Sequence, residues 1–143
     1  MKLIEATVTI LGSGTCTPTK ARGPSGIVVQ FDEHAILLDS GSGTLTKLTQ
    51  IGIDFQKLSA LCYTHTHPDH VIDVVPILQA FKVSRTRVRS VPLPLLGPNG
   101  FASFLTQLAD VFGAWLVDQE FGLDIHDMKR DEIVFPGYRI LTL

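Results

Sequence analysis

Cysteine is scarce in this chain, with two among 143 residues. Cys16 and Cys62 are isolated, so they form neither a disulfide framework nor a Cys-x-x-Cys zinc site, and a reducing compartment, the cytoplasm, is the expected location. The chain also lacks an apolar run at its start, where Lys2 and Glu5 interrupt residues 1–5. Export through a signal peptide is therefore not expected.

Charge of either sign is limited as well. Charged residues make up 18% of the chain, and 12 Lys and Arg face 14 Asp and Glu, for a formal net charge of −2. This balance excludes a global attraction to nucleic acid or to an anionic membrane. The 45% of hydrophobic residues exclude a disordered chain, because their burial offsets the entropy of ordering. We expect one globular domain across residues 1–143.

One uncharged run, residues 90–109, reaches the length of a membrane span. Residues that break helices interrupt it repeatedly, at Pro92, Pro94, Gly97, Pro98 and Gly100. We therefore expect this run to be buried globular structure, and no association with a membrane.

Strand and helix patterns alternate along the chain. Alternating apolar residues predict a strand at residues 4–10, and two apolar runs around a polar turn predict a hairpin of residues 27–31 and 35–38. The patterns that follow predict a short helix ending at Gly52, a buried strand at residues 58–64, a helix from Pro76 to about Phe81, a helix from Phe101 with Asn99 as its N-cap, and two or three strands after residue 121. This alternation predicts the α/β class.

A dense cluster of metal-ligand side chains directly follows the predicted strand at residues 58–64. It consists of His65, His67, Asp69 and His70. In an extended backbone His65 and His67 point to the same side and can reach one cation, whereas Asp69 and His70 can reach a second cation nearby. Imidazole nitrogen and carboxylate oxygen favour zinc, with manganese and iron as alternatives. Two such ions about 3.5–4 Å apart can share a hydroxide, which is hydrolytic chemistry.

The alternative interpretation is that these are ordinary exposed loop histidines, which is the better explanation for a single histidine but not for this cluster. The two histidines elsewhere, His34 and His126, are expected to be ordinary surface or half-buried side chains. Three alternating arginines, Arg85, Arg87 and Arg89, form either a row that holds phosphates or a solvated basic turn.

The segment Thr64-His65-Thr66-His67-Pro68-Asp69-His70 resembles the signature of the metallo-β-lactamase superfamily. Around it, the chain is similar to ribonuclease Z and its short phosphodiesterase relatives. The supporting segments are Leu11-Gly12-Ser13-Gly14-Thr15, Pro18-Thr19, Arg22-Gly23-Pro24-Ser25, Leu37-Leu38-Asp39-Ser40-Gly41 and Leu96-Gly97-Pro98-Asn99-Gly100. The chain departs from ribonuclease Z at Pro68, where glycine is usual, and at Asp73, where a small residue is common.

This resemblance implies an αβ/βα sandwich of which the chain supplies the N-terminal half, incomplete at its C-terminus. It implies that His65 and His67 bind one zinc, that Asp69 and His70 bind the other, and that Asp69 also acts in catalysis by positioning the attacking water. Asp39 is implied to steady the metal loop through hydrogen bonds. Because half a sandwich leaves an apolar sheet face uncovered, we also expect a homodimer.

The activity implied is hydrolysis of a phosphodiester in RNA or a transfer RNA precursor. Thioester, lactone and β-lactam hydrolysis stay open as alternatives, because the motif selects the metals and not the substrate. A third alternative is a truncated, catalytically silent half-domain that binds metal weakly or serves as an interaction module.

Overall fold

A six-stranded sheet forms the centre of the molecule, in a computed structural model that describes residues 5–86 and 89–142. Its strands are β1 (Ala6–Gly12), β2 (Gly26–Phe31), β3 (His34–Leu38), β4 (Ala60–Cys62), β5 (Leu93–Pro98) and β6 (Leu123–Met128), which lie side by side in chain order. The first three strands are antiparallel, and β3 to β6 are parallel. The carboxyl ends of four strands therefore meet at one edge of the sheet.

Helices cover one face of this sheet. They are α1 (Thr44–Gln50), α2 (Pro68–Val71), α3 (Val74–Val83) and α4 (Phe101–Phe112), with short 3-10 turns at Phe55–Lys57 and Ala114–Leu116. On this face Leu61 and Leu95 join Leu48, Ile77 and Leu105 in the main core. No helix in the described part of the chain is long and apolar enough to cross a membrane.

A separate hairpin, β7 (Glu132–Phe135) and β8 (Tyr138–Leu141), packs on the other face of the sheet. The neighbouring strand positions Ala60 and Leu96 point to this face, because side chains alternate along a strand. The hairpin covers only part of it: Val8 and Ile10 of β1 are 62% and 63% exposed. The expected apolar face is thus partly covered within the chain, and the homodimer stays a prediction.

The structure confirms the α/β class, the hairpin of β2 and β3 and the strands after residue 121, of which there are three. The first strand starts at Ala6, and Ile4 lies outside the described residues. The strand predicted at residues 58–64 extends only over Ala60–Cys62. Leu58 and Tyr63 lie outside the strand, and they are apolar because both are buried in the core.

One predicted helix start and one predicted helix cap differ from the structure. The helix predicted from Pro76 begins two residues earlier, at Val74, and Pro68 is the proline at the first position of a helix, in α2. Asn99 does not cap α4, because Gly100 takes the N-cap position in a left-handed conformation, with φ of 89°. Asp127 supplies the missing cap from a distant strand, a partner that local spacing does not reveal.

Arg85 and Arg89 do not form a common row. Arg87 lies outside the described residues, and Arg85 is exposed. Arg89 turns inward: its guanidinium donates to the carbonyl of Leu58 and lies 5.9 Å from the ring centroid of Phe121. Burial lowers the pKa of Arg89, and its contacts tie the starts of neighbouring strands together.

Candidate metal centre

The four predicted metal ligands lie on the metal loop, which we define as the segment after β4 together with the short helix α2. His67 is the N-cap of α2 and has an extended backbone, with φ −65° and ψ 142°, because the residue before a proline avoids the helical region. Pro68 then starts the helix, and Asp69 and His70 follow on its single turn. The loop thus turns sharply enough to bring the side chains before and after Pro68 together.

The distances within the loop are short. The ring centroids of His65 and His70 are 4.0 Å apart, and those of His65 and His67 are 4.7 Å apart. The Nε2 atom of His70 lies 3.6 Å from Oδ2 of Asp69. Over residues 5–86 and 89–142, however, no three His, Cys, Asp or Glu side chains form a group that could hold a metal ion. The structure therefore brings the four donors together, but not as a three-ligand site.

Asp39 holds this loop from behind. It ends β3 in a left-handed conformation, with φ of 56°, and is 5% exposed. Its Oδ1 accepts hydrogen bonds from the backbone N–H and the hydroxyl of Thr64 at 2.8 and 3.0 Å, and its Oδ2 accepts from Nδ1 of His70 at 2.7 Å. Because a carboxylate only accepts, His70 carries its proton on Nδ1, which leaves the lone pair of Nε2 for a metal.

The donor set fits zinc or a similar divalent ion. Three imidazoles and one carboxylate are borderline and hard donors that suit such ions, and the Asp39 contact fixes the tautomer that ligation by Nε2 requires. Among these residues Asp69 and His70 are half-buried and His67 is exposed, so the loop is open to solvent on one side.

Several residues that support the loop were not singled out from the sequence. Gly41 packs so closely that a Cβ at this position would lie 2.2 Å from the carbonyl oxygen of Asp69, so glycine is required. The backbone N–H of Ser40 donates to the carbonyl of His70 at 2.6 Å. The Ser40 hydroxyl also lies 3.1 Å from the hydroxyl of Tyr63, whose pKa is raised by burial. In the sequence, Ser40 and Gly41 stand out only within the segment that carries the family resemblance.

A basic cleft of about 390 Å³ lies beside this loop. Its wall includes three cations, on Lys20, Arg22 and Lys47. It also includes Pro24, which lies directly against Gly41 and hence next to Asp69. The cleft thus adjoins the metal loop at Pro24, and none of the four donors lines it.

The other two histidines contact side chains outside the metal loop. Nε2 of His126 lies 2.9 Å from Oδ2 of Asp124 on the same strand. The ring of His34 packs 4.8 Å from that of Tyr138 and 5.3 Å from that of Phe31, measured between centroids. Both side chains are half-buried, and neither joins the metal loop.

Comparison with known proteins relates this arrangement to a family. A family model described as the metallo-beta-lactamase superfamily matches residues 20–138. A Ribonuclease Z from Mycobacterium sp. (strain KMS) is 37% identical over 106 residues, which are 74% of this chain and 37% of the relative. The chain thus spans little more than a third of that relative's length.

Solved structures show the same fold. The short form of human tRNase Z superposes with a TM-score of 0.72 at 26% identity, over 86% of this chain and 45% of that one. The metallo-beta-lactamase fold protein YhfI from Bacillus subtilis gives a TM-score of 0.71 at 21% identity, over 91% of this chain and 50% of that one. These similarities confirm the predicted fold class and its partial coverage.

Proposed function

Because the chain belongs to the metallo-beta-lactamase superfamily, we propose that it forms the metal-binding part of a zinc-dependent phosphodiesterase that cleaves RNA, with transfer RNA precursors as the first candidate substrate. The observation that carries this proposal is the loop geometry: four donors lie together, and Asp39 orients one of them. When bound, divalent ions would lower the pKa of a water molecule and polarise a phosphoryl oxygen.

The residues of this chain have distinct roles in the proposal. His65 and His67 would hold one ion, and Asp69 and His70 the other. Asp69 would in addition accept a hydrogen bond from the attacking water and so orient it. Two donors per ion are fewer than the three protein ligands typical of catalytic zinc. We therefore expect fewer than two tightly bound zinc equivalents unless further ligands complete the site.

The basic cleft supports a phosphodiester substrate over a thioester or a lactone. Lys20, Arg22 and Lys47 offer cationic groups where the backbone of a nucleic acid would approach the loop. The relative named Ribonuclease Z supports the same substrate class. The free thiols of Cys16 and Cys62 are compatible with the proposed cytoplasmic location.

The test compares Asp69→Ala with the matched control Asp110→Ala, which changes an exposed aspartate on α4. The zinc-loaded proteins are assayed with bis-p-nitrophenyl phosphate, a transfer RNA precursor, a thioester and a lactone. We expect phosphodiester turnover that falls on the order of 10²-fold or more in Asp69→Ala and stays unchanged in the control. Metal binding without turnover of any substrate would instead support the silent half-domain. Equal rates for wild type and Asp69→Ala would contradict the role of Asp69.

Self-association is tested separately. The exposed side chains of Val8 and Ile10 leave part of the second sheet face uncovered, which supports a homodimer. Light scattering coupled to gel filtration should give twice the monomer mass at micromolar concentration. A monomer that binds no hydrophobic dye would contradict this prediction.

A further inference from the structure

A buried carboxylate next to the metal loop has no part in the mechanism above. Asp73 lies at the start of α3 and is 7% exposed. Its Oδ1 accepts a hydrogen bond from the N–H of Gly43 at 3.1 Å, and its Oδ2 accepts one from the N–H of Leu45 at 2.9 Å. These N–H groups belong to the first turn of α1, whose N-cap, Gly43, has no side chain to satisfy them. Asp73 therefore caps α1 from a different helix.

The backbone near Asp73 joins the same segment to the metal loop. The N–H of Asp73 donates to the carbonyl of Ser40 at 2.9 Å, and the N–H of Ser40 donates to the carbonyl of His70 at 2.6 Å. The residue before Ser40 is Asp39, which accepts the hydrogen bond from His70 Nδ1. Residues 39–45 are thus held at one end by the contact of Asp39 with His70 and at the other end by the carboxylate of Asp73.

We propose that Asp73 is a positioning residue for the metal centre, which keeps Asp39 in place to orient His70 by anchoring the start of α1. This inference depends on the proposed metal-dependent function. Removal of the carboxylate leaves two N–H groups of α1 without an acceptor, so residues 39–45 lose the side-chain anchor at their C-terminal end. The hydrogen bond between Asp39 and His70 then becomes less ordered, and metal affinity decreases. Asp73 acts through Asp39 and touches neither metal nor substrate.

The chain provides a matched control, because α4 is capped in the same way. Asp127 accepts hydrogen bonds from the N–H groups of Gly100 and Ala102 at 2.9 and 2.8 Å. Gly43 and Gly100 are both N-caps in the left-handed region, with φ of 88° and 89°. The hydrogen bonds of the Asp127 side chain within the described residues go to α4 and not to the metal loop. Asp127→Ala therefore removes a cap of the same type without disturbing the proposed connection.

The experiment measures the Kd for Co²⁺, by competition with a chelator, in wild type, Asp73→Ala, Asp73→Asn and Asp127→Ala. Both alanine variants should lower the Tm of the metal-free protein by several degrees, on the order of the loss of one helix cap. Only Asp73→Ala should also weaken cobalt binding, by about tenfold. Asp73→Asn keeps one acceptor oxygen, and its affinity should lie between those of wild type and Asp73→Ala. The imidazole ¹⁵N signals of His70 should show loss of a single Nδ1–H tautomer in Asp73→Ala but not in Asp127→Ala.

A cobalt affinity of Asp73→Ala within twofold of wild type, at a temperature where both are folded, would overturn the proposal, because Asp73 would then be a structural cap only. If Asp73→Ala does not fold, Asp73→Asn decides by the same criterion. Failure of the wild type to bind cobalt would instead overturn the proposed function, and with it the role assigned to Asp73.

Discussion

Replacement of Asp39 by asparagine separates the chemistry of this side chain from its backbone conformation. Asparagine has the same shape and tolerates the left-handed region that Asp39 occupies at φ 56°. The substitution therefore adds no backbone strain, but it exchanges one acceptor oxygen for a donor NH₂ group. Asp32→Asn is the matched control, because Asp32 also has a positive φ, of 45°, and lies in the exposed turn between β2 and β3.

Neither orientation of the new amide reproduces both native hydrogen bonds. If its NH₂ group faces Thr64, it meets the N–H that Oδ1 of Asp39 accepts at 2.8 Å, and that N–H loses its acceptor. If it faces His70, it donates to Nδ1 and moves the imidazole proton to Nε2, the atom needed for metal binding. Losing one charge-assisted hydrogen bond should lower the free energy of unfolding of the metal-free protein by about 1.5–3 kcal/mol.

Apart from this loss of stability, zinc affinity should decrease more in Asp39→Asn than in the control Asp32→Asn. Loss of a group that orients a metal-binding histidine typically costs about 10- to 100-fold in affinity, or about 1.4–2.8 kcal/mol. Urea unfolding of the metal-free protein and chelator competition for Zn²⁺ measure the two effects, and imidazole ¹⁵N shifts report the tautomer of His70. An Asp39→Asn protein that binds zinc as tightly as wild type and Asp32→Asn would refute the argument that Asp39 sets the tautomer.

Three further predictions follow from buried or capped groups. Burial raises the pKa of the Cys62 thiol to about 12, so iodoacetamide at pH 8 should modify only the exposed Cys16 in the native protein. A mass spectrum that shows two adducts on protein treated in the absence of urea would contradict this. Hydrogen bonds from Ala102 and Gly100 hold the pKa of Asp127 below its ordinary value of 3.8. The stabilising effect of Asp127 is therefore present above that pH and is lost as the pH falls through the lower pKa of the folded state. Asp127→Asn should make Tm decrease less at acid pH than in wild type, and an equal decrease in both proteins would contradict this. A Cβ on residue 97 would lie 2.2 Å from the ring of buried Phe101, so Gly97→Ala should cost about 1–3 kcal/mol in urea unfolding, and an unchanged midpoint would disprove the predicted overlap.

The parts of the fold that follow from local patterns could be predicted from the sequence. The hairpin of β2 and β3 was visible as two apolar runs around a polar turn, and the helix pattern correctly placed the start of α4 at Phe101. The helix caps could not be predicted, because the acceptor and donor residues are 25 to 30 positions apart in the chain. Single-sequence patterns carry no information on such partners.

The candidate site likewise contains residues that the sequence identified and residues that it did not. Its donors are visible because all four lie within residues 65–70. Asp39 was identified only through the resemblance, since the partner atoms of Asp39 and His70 are 31 positions apart. Ser40 and Gly41 were quoted only within a segment that carries the resemblance, because their close packing against the metal loop depends on how β3 and β4 pair. Arg89 was misassigned for a related reason: its carbonyl partner, Leu58, lies 31 positions away.

The concentration of all four donors in one short stretch has a consequence for the unfolded protein. A denatured chain still carries these side chains close together, so it retains some affinity for zinc. A ligand that binds only the native state at 100 times its Kd adds about 2.7 kcal/mol of stability, and binding to the unfolded state reduces this gain. The preference of zinc for the folded protein therefore depends on Asp39, which reaches His70 only after β3 and β4 have paired. Zinc should raise the Tm by less than its native-state affinity alone would give.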